Sequence, residues 1–253
     1  MKLSLTITAA ALVLMQPLFA TAKNQKDNCV ALPDYNTVKT ALTKARTDNN
    51  GGLNLDMWAT VVDRSGVVCT VVYTGNKADS QWPGSRVISA QKANTANAFS
   101  LKDLALSTAN LYSAVQPGGP LFGLQESNPV DTKAAYAGNA NEFGTKNDPM
   151  VGKRIGGVNV FGGGVALYNA KGEIVGALGV SGDTSCADHN IAWKLRSNLN
   201  LDYVPNGVAP TKNDQIVFDI NSGKSNGGYG HPDCGGKAVE TAKGLNPTKS
   251  IVR

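Results

Sequence analysis

Two histidines, His189 and His231, are the side chains of this sequence best suited to chemistry near neutral pH, because an imidazole can ligate a metal or move a proton there. His189 lies near the start of a predicted helix, one turn before Trp193. It is either a ligand in a pocket or a surface residue whose protonated form the helix dipole disfavours. His231 lies in the loop of residues 229–234, where it is either a ligand arm over a site or an ordinary turn residue beside Pro232.

A second candidate site is the junction between a predicted strand and the helix that contains His189. Ser181, Gly182 and Asp183 lie at this junction. Free backbone N–H groups at the start of a helix can hold a carboxylate. A plain helix entry explains the same three residues, so the sequence leaves both interpretations open.

Several common kinds of site are excluded because their motifs are missing. The chain has no G-x-S-x-G motif, and neither histidine has a serine partner at a nearby turn, so a hydrolytic triad is not predicted. The glycine-rich residues 156–164 lack G-K-[ST] and lead into a strand, which excludes a phosphate loop. The net charge is +5, but the basic residues are scattered, so nucleic acid is not an expected partner.

The first 22 residues predict export. Lys2 precedes an apolar stretch over residues 3–14, and Ala20-Thr-Ala22 is typical of a signal-peptidase cleavage site. The apolar stretch is short for a bilayer span, although an uncleaved anchor is the alternative. We therefore expect a periplasmic or secreted protein with no membrane span after cleavage.

Four cysteines follow the predicted cleavage site, and an even number in an exported protein predicts two disulfides. Three pairings are possible. We favour Cys29–Cys69, which would tie the N-terminal segment to a strand, and Cys186–Cys234, which would tie the tail to a helix start. The chain has no C-x-x-C motif, so neither a zinc site nor a redox pair is predicted.

Hydrophobic periodicity and turn residues predict an alternation of helices and hairpins. Residues 121–157 show no clear pattern and are interpreted as an excursion that covers a site or an interface. Residues after 235 are expected to be coil. The predicted elements are a helix N-capped by Asp34, a hairpin over 57–73, an alanine-rich helix over 85–99, a further helix over 101–115, a hairpin over 165–180, a helix from 185 opened by a Ser185–Asp188 capping box, and a strand over 215–220.

The second hairpin is unusual because its last strand contains Gly176 and Gly179. Glycine weakens a strand unless something must come close to its backbone. That neighbour could be another subunit, a helix or a flat ligand. We expect room for a flat ligand between the slim strands and the alanine-rich helix.

Three segments together resemble the GlcG/HbpS family of small haem-binding or haem-degrading modules. The first is A-T-V-V-D-x-x-G, ending at Gly66. The second is S-x-x-x-S-x-x-K-A-x-T-A-x-x-F, starting at Ser85; it departs from the family pattern at Ser89, where the family has alanine. The third runs from the three glycines at 162–164 to G-A-x-G-V-S-G, ending at Gly182, with Asp188 downstream.

The resemblance covers about residues 34–199 and implies a profilin-like α/β sandwich. Its centre would be an antiparallel sheet of about five strands, flanked by helices. It also implies homo-oligomers, dimers or larger. We therefore divide the chain into a signal peptide (1–22), a GlcG/HbpS-like domain (23–200) and a C-terminal extension (201–253).

The resemblance further implies haem as the ligand. Such a site needs an apolar slot, an axial ligand and partners for the propionates. His189 and His231 are the candidate iron ligands. Lys92 would face an anionic group and Thr95 would supply a hydrogen bond or weak ligation. The alternative is a solvated lysine and a threonine bonded to its own helix.

Three functions therefore remain open from the sequence. The first is an exported protein that binds, buffers or senses haem or another tetrapyrrole. The second is an enzyme that degrades haem with peroxide. The third is a haem-independent module for small-molecule binding or assembly.

Overall fold

The structure is a computed structural model that describes residues 29–252. The predicted signal peptide lies outside the described residues. Within residues 29–252, no helix is both long enough and apolar enough to cross a bilayer. The helices are α1 (Tyr35–Thr47), α2 (Ser85–Phe99), α3 (Thr132–Ala135), α4 (Ser185–Asn198) and α5 (Ala238–Lys243), and the strands are β1 (Trp58–Asp63), β2 (Val68–Tyr73), β3 (Gly164–Tyr168), β4 (Ile174–Ser181), β5 (Ile220–Asn221) and β6 (Lys224–Ser225).

The chain forms a mixed α/β fold around one antiparallel sheet with the strand order β2-β1-β4-β3. Both predicted hairpins are present, and their turns have the expected chemistry. The Asp63 carboxylate accepts the Ser65 and Val67 N–H groups, each at 2.8 Å, and Gly66 has φ of 77°. The hairpins join through β1 and β4, whose register places Thr60 opposite Gly179.

The central sheet has four strands, so the expectation of about five was wrong. The outer edge of β3 is occupied by the chain beyond α4, where the Tyr168 N–H donates to the Leu201 carbonyl at 2.8 Å. The strand predicted over residues 215–220 does not pair with this sheet. Val217 bridges Gly230 instead, and only the short β5–β6 hairpin follows.

Three local predictions also fail. Residues 101–115 form 3-10 turns at Thr108–Leu111 and Ser113–Val115 rather than a helix. The expected coil after residue 235 contains α5, whose Ala238 and Ala242 are buried. The N-cap of α4 is Thr184 rather than Ser185, because the Thr184 hydroxyl accepts the Ala187 N–H at 3.3 Å.

The two sides of the sheet differ in what packs on them. Helices α1 and α4 cover one side, here called the aliphatic face, where large aliphatic residues of both helices meet the strands. Helix α2 covers the other side, here called the small-residue face. The buried cluster on the aliphatic face includes Val38, Leu42, Val61, Val72, Val165, Leu167, Leu178, Val180, Ile191 and Leu195.

Helix α2 occupies the space that was expected to hold a flat ligand. A Cβ on Gly179 would lie 2.0 Å from the Ser89 carbonyl oxygen and 2.4 Å from the Ala93 nitrogen. The glycine therefore admits a helix backbone, which is one of the three neighbours considered above. The expectation of an open gap at this position was wrong, because alanines on α2 let the helix approach until the layers touch.

The excursion over residues 121–157 packs on the small-residue face beside α2. Its residues Ala135, Met150 and Ile155 are buried in the same cluster as Trp58 and several valines. A bidentate ion pair between Arg86 on α2 and Asp148 fixes this segment, with Nε to Oδ2 at 2.9 Å. The excursion thus completes the core around the first hairpin.

Candidate functional site

A cleft of about 270 Å³ opens where the N-terminal ends of α2 and α4 meet the end of β4. We call it the α2–α4 cleft. Trp82 and Phe161 line it with about half of each side chain exposed, at 52 % and 50 % respectively. The remaining lining residues are Gly84, Ser85, Ile88, Lys92, Ser181, Asp183, Ser185 and Asp188.

Other hollows on the described surface are larger, and one of about 310 Å³ shares Asp183 with the cleft, but those described are not lined by Lys92 or Ser181. One of about 730 Å³ lies between Tyr35 and Phe143, and most of its lining residues lie in loops. The α2–α4 cleft is the better candidate, because Lys92 and Ser181 both line it and its two large aromatic side chains are available to a ligand.

The floor of the cleft holds a buried ion pair. The Lys92 ammonium lies 2.7 Å from Asp188 Oδ2 and donates to the Val180 carbonyl at 3.1 Å. Both side chains are almost fully buried. Burial raises the pKa of Asp188 to about 6, and the neighbouring Lys92 charge opposes that rise. An anionic ligand would therefore share the Lys92 charge with Asp188.

The strand-to-helix junction is internally bonded. The Asp183 N–H donates to Asp188 Oδ1 at 2.9 Å, and the Thr184 N–H donates to Asp183 Oδ1 at 2.6 Å. The Asp183 carboxylate also accepts the Leu53 N–H. Gly182 is confined, since a Cβ there would lie 2.4 Å from the Asp56 carbonyl oxygen. These N–H groups serve the fold, and Ser181 is the junction residue that offers a hydroxyl to the cleft.

Thr95 lies on α2, one turn beyond Lys92, and is not part of the cleft lining. Its hydroxyl donates to the Gln91 carbonyl at 2.8 Å and accepts the Asn159 N–H at 3.0 Å. The residue therefore bonds its own helix backbone, and it also ties α2 to the segment that leads into β3.

His189 is enclosed by the protein. Its Nε2 accepts the Ile216 N–H at 3.1 Å, and its ring lies 6.1 Å from the Trp193 ring. Its Nδ1 is buried without a partner among the described residues. Burial lowers the pKa of His189 to about 3, so the ring is neutral at pH 7.

His231 is also buried, but its neighbours connect it to the cleft. Its Nε2 lies 2.7 Å from Ser185 Oγ, and its Nδ1 lies 2.7 Å from the Pro232 carbonyl oxygen. Burial lowers the pKa of His231 to about 4. Because Ser185 lines the cleft, one hydroxyl separates this imidazole from a ligand there.

The serine partner of His231 was missed from the sequence because 46 positions separate the two residues. The disulfide between Cys186 and Cys234 brings them together, since Ser185 precedes one cysteine and His231 lies three positions before the other. The second disulfide joins Cys29 to Cys69. Sulfur atoms of Cys186 and Cys234 lie near His231, but as a disulfide they offer no thiolate to a metal.

Residues 34–195 match the family model described as haem-degrading protein HbpS-like. The chain belongs to the HbpS-like family. The match contains the central sheet, α1, α2, most of α4 and the whole α2–α4 cleft. His231 and α5 lie beyond it. No curated protein matches this HbpS-like chain significantly in sequence.

Solved structures that are similar to the HbpS-like protein include the following three. Klebsiella pneumoniae protein ORFY is 24 % identical, with 65 % of this chain and 86 % of that chain covered and a TM-score of 0.43. A PduOC:haem complex is 23 % identical, with 66 % and 91 % covered and a TM-score of 0.45. A double mutant of Streptomyces reticuli HbpS is 15 % identical, with 76 % and 99 % covered and a TM-score of 0.39. These scores are low, so the family assignment rests on the sequence match.

The residues of the HbpS-like protein fit part of a haem site. The α2–α4 cleft has aromatic walls and a cation, which suit a flat ring and a carboxylate. Its volume of about 270 Å³ is too small to enclose a porphyrin. Both ring nitrogens of His231 have partners within the protein. His189 Nδ1 has no partner among the described residues, but His189 does not line the cleft.

Proposed function

We propose that this HbpS-like protein binds a tetrapyrrole, with haem as the first candidate, at the α2–α4 cleft. The observation that carries the proposal is the pair of half-exposed rings, Trp82 and Phe161, on a cleft that also contains the Lys92 ammonium. One edge of the macrocycle would enter the cleft and contact both rings. A propionate on that edge would share Lys92 with Asp188.

The proposed contacts involve the macrocycle rather than its metal. His189 is enclosed by the protein, and using His231 as an axial ligand would require it to leave Ser185. We therefore expect iron-free protoporphyrin IX to bind about as tightly as haem. A much weaker affinity for the iron-free ring would instead favour ligation by His231.

The test is a titration of the folded protein with haem and with protoporphyrin IX, followed by Soret absorbance and tryptophan fluorescence. Trp82→Ala and Phe161→Ala should each weaken binding about tenfold, because each removes one wall of the cleft. Phe122→Ala is the matched control, since Phe122 is 66 % exposed and lies outside the cleft. Absent binding, or equal loss in the control, would contradict the proposal.

We further propose that the protein acts outside the cytoplasm, in the periplasm or after secretion. The predicted signal peptide and the two disulfides support this location. Binding there would buffer or report haem.

We also propose that the protein forms a homo-oligomer. The cleft is too small for a porphyrin, and a second copy of the chain would cover its open side. Light scattering with and without haem would test this.

The family description favours haem breakdown as a second candidate function, for which we propose peroxide as the oxidant. Loss of the Soret band and release of iron only after peroxide is added would support it. A stable Soret band under those conditions would leave binding as the function. Self-association without any tetrapyrrole binding would favour an assembly module.

A further inference from the structure

Ser185 and His231 have the geometry of a nucleophile and its base. The Ser185 hydroxyl lies 2.7 Å from His231 Nε2, within the range required for proton transfer. The other ring nitrogen, Nδ1, lies 2.7 Å from the Pro232 carbonyl oxygen, which orients the ring. A serine, a base and a group that orients the base are the three parts of such a site.

The hydrogen bonds fix the direction of each proton. A carbonyl oxygen can only accept, so His231 Nδ1 carries the hydrogen that it donates to Pro232. The ring is neutral at pH 7, because burial lowers the pKa of His231 to about 4. Nε2 therefore has no hydrogen, and the Ser185 hydroxyl must donate to it. This is the orientation that a general base needs.

The position of Ser185 at the start of a helix also favours negative charge on its oxygen. Ser185 is the first residue of the 14-residue helix α4, where the helix dipole stabilises an anion. Lys92 lines the same cleft together with its ion-pair partner Asp188, and Ser185 itself is only partly buried. Trp82 and Phe161 supply an apolar surface beside it. A substrate with a small apolar group could therefore reach the hydroxyl.

The contact is not needed to hold the loop in place. The disulfide between Cys186 and Cys234 already joins this loop to α4 covalently. The Ser113 hydroxyl also donates to the Gly230 carbonyl at 2.6 Å and fixes the same loop. Because the loop is already anchored, the Ser185–His231 hydrogen bond is available for proton transfer.

We propose that Ser185 and His231 form an acyl-transfer site that cleaves small carboxylic esters bound in the α2–α4 cleft. Ser185 Oγ would attack the ester carbonyl carbon and pass its proton to His231 Nε2. The C–O bond to the leaving alkoxide then breaks, and His231 gives the proton to that oxygen, which releases an alcohol. Water next attacks the acyl-serine, gives a proton to His231, and Ser185 recovers that proton as the acid departs.

The primary experiment treats the folded, disulfide-bonded protein with a fluorophosphonate probe and locates the adduct by mass spectrometry. We expect one phosphonyl group on Ser185. Ser185→Ala should abolish the adduct, and His231→Gln should slow labelling about 100-fold, within the range of general-base effects. Hydrolysis of p-nitrophenyl acetate should fall in the same two variants.

Ser113→Ala is the matched control, because it removes a hydroxyl contact to the same loop without touching an imidazole. Its labelling rate should equal that of the unaltered chain. A folded protein that is not labelled, or an adduct on another residue, would overturn the proposal. The adduct site in the unaltered chain decides the matter even if a variant fails to fold. No haem is added, so this test stands apart from the tetrapyrrole proposal.

Discussion

The two faces of the sheet are built by different physical means. On the aliphatic face, side chains such as Leu178 meet the side chains of α1 and α4. On the small-residue face, the backbone of α2 comes against Gly179, and polar side chains form specific contacts between the layers, such as the 2.8 Å contact of Thr60 and Ser89. Because the backbones approach so closely, the small-residue face tolerates little change in side-chain size. It also positions Lys92 at the cleft, so both proposed activities depend on that face.

The largest expected effect is that of Gly179→Val on the small-residue face. The new side chain would meet the Ser89 carbonyl and the Ala93 nitrogen, which are backbone atoms and cannot move aside. We expect a loss of more than about 5 kcal/mol, which leaves no folded protein. Circular dichroism and urea unfolding measure this. Gly84→Ala is the control, since its Cβ would meet only Ile88 Cδ1 at 3.9 Å. A Gly179→Val protein that unfolds cooperatively and is stable would contradict the proposed difference between the two faces.

The next effect concerns the buried charges. Asp188→Leu leaves the Lys92 ammonium buried without its partner and should lower the free energy of unfolding by about 3–5 kcal/mol. Adding Lys92→Met should restore most of that loss, because two apolar side chains replace the pair. Asp48→Ala breaks a more exposed pair with Lys194 and should cost less than about 1 kcal/mol. A double variant no more stable than Asp188→Leu would contradict this account.

On the aliphatic face, Leu178→Ala should cost about 3 kcal/mol while the protein still folds. The reason is a cavity among side chains, which neighbouring residues can partly fill. Urea denaturation would give the value, with Leu53→Ala as the control because Leu53 is 59 % exposed. If Leu178→Ala prevented folding, the aliphatic face would tolerate a change in side-chain size as poorly as the small-residue face.

Acid should lower stability through the two buried imidazoles. Burial lowers the pKa of His189 to about 3 and that of His231 to about 4, below the ordinary 6.5, so unfolding takes up protons as the pH falls below 6.5. Burial raises the pKa of Asp188 to about 6, so the folded protein takes up one proton there below that pH. This uptake offsets the loss of stability caused by one of the two imidazoles.

The net change should be a loss of about 2 kcal/mol between pH 6.5 and pH 5, from a slope of about 1.4 kcal/mol per pH unit for each uncompensated proton. Urea unfolding at several pH values measures it, and stability should be level above pH 7. An increase in stability from pH 6.5 to pH 5 would show that a folded-state imidazole takes up a proton readily.

Much of the fold could be predicted because its determinants are local. Asp34 caps α1 through the Thr37 N–H, as its position before an apolar stripe predicted. The turns at Gly66 and Gly172 both adopt positive φ. The strand predicted over residues 215–220 failed because the Ile216 N–H donates to His189 Nε2 and the Val217 carbonyl accepts the His231 N–H, rather than pairing with a sheet edge. A local alternation cannot show which partner a strand will find.

The sequence by itself determined the hairpin turns, the N-cap of α1 and the family, because each depends on residue types at short spacing. Only the tertiary structure decided that Lys92 meets Asp188 across 96 positions, and that Ser185 meets His231 across 46. It also decided that Gly179 admits a helix rather than a ligand. Such contacts depend on how layers pack and on where a disulfide closes the chain, and the spacing of residues along the sequence does not contain that information.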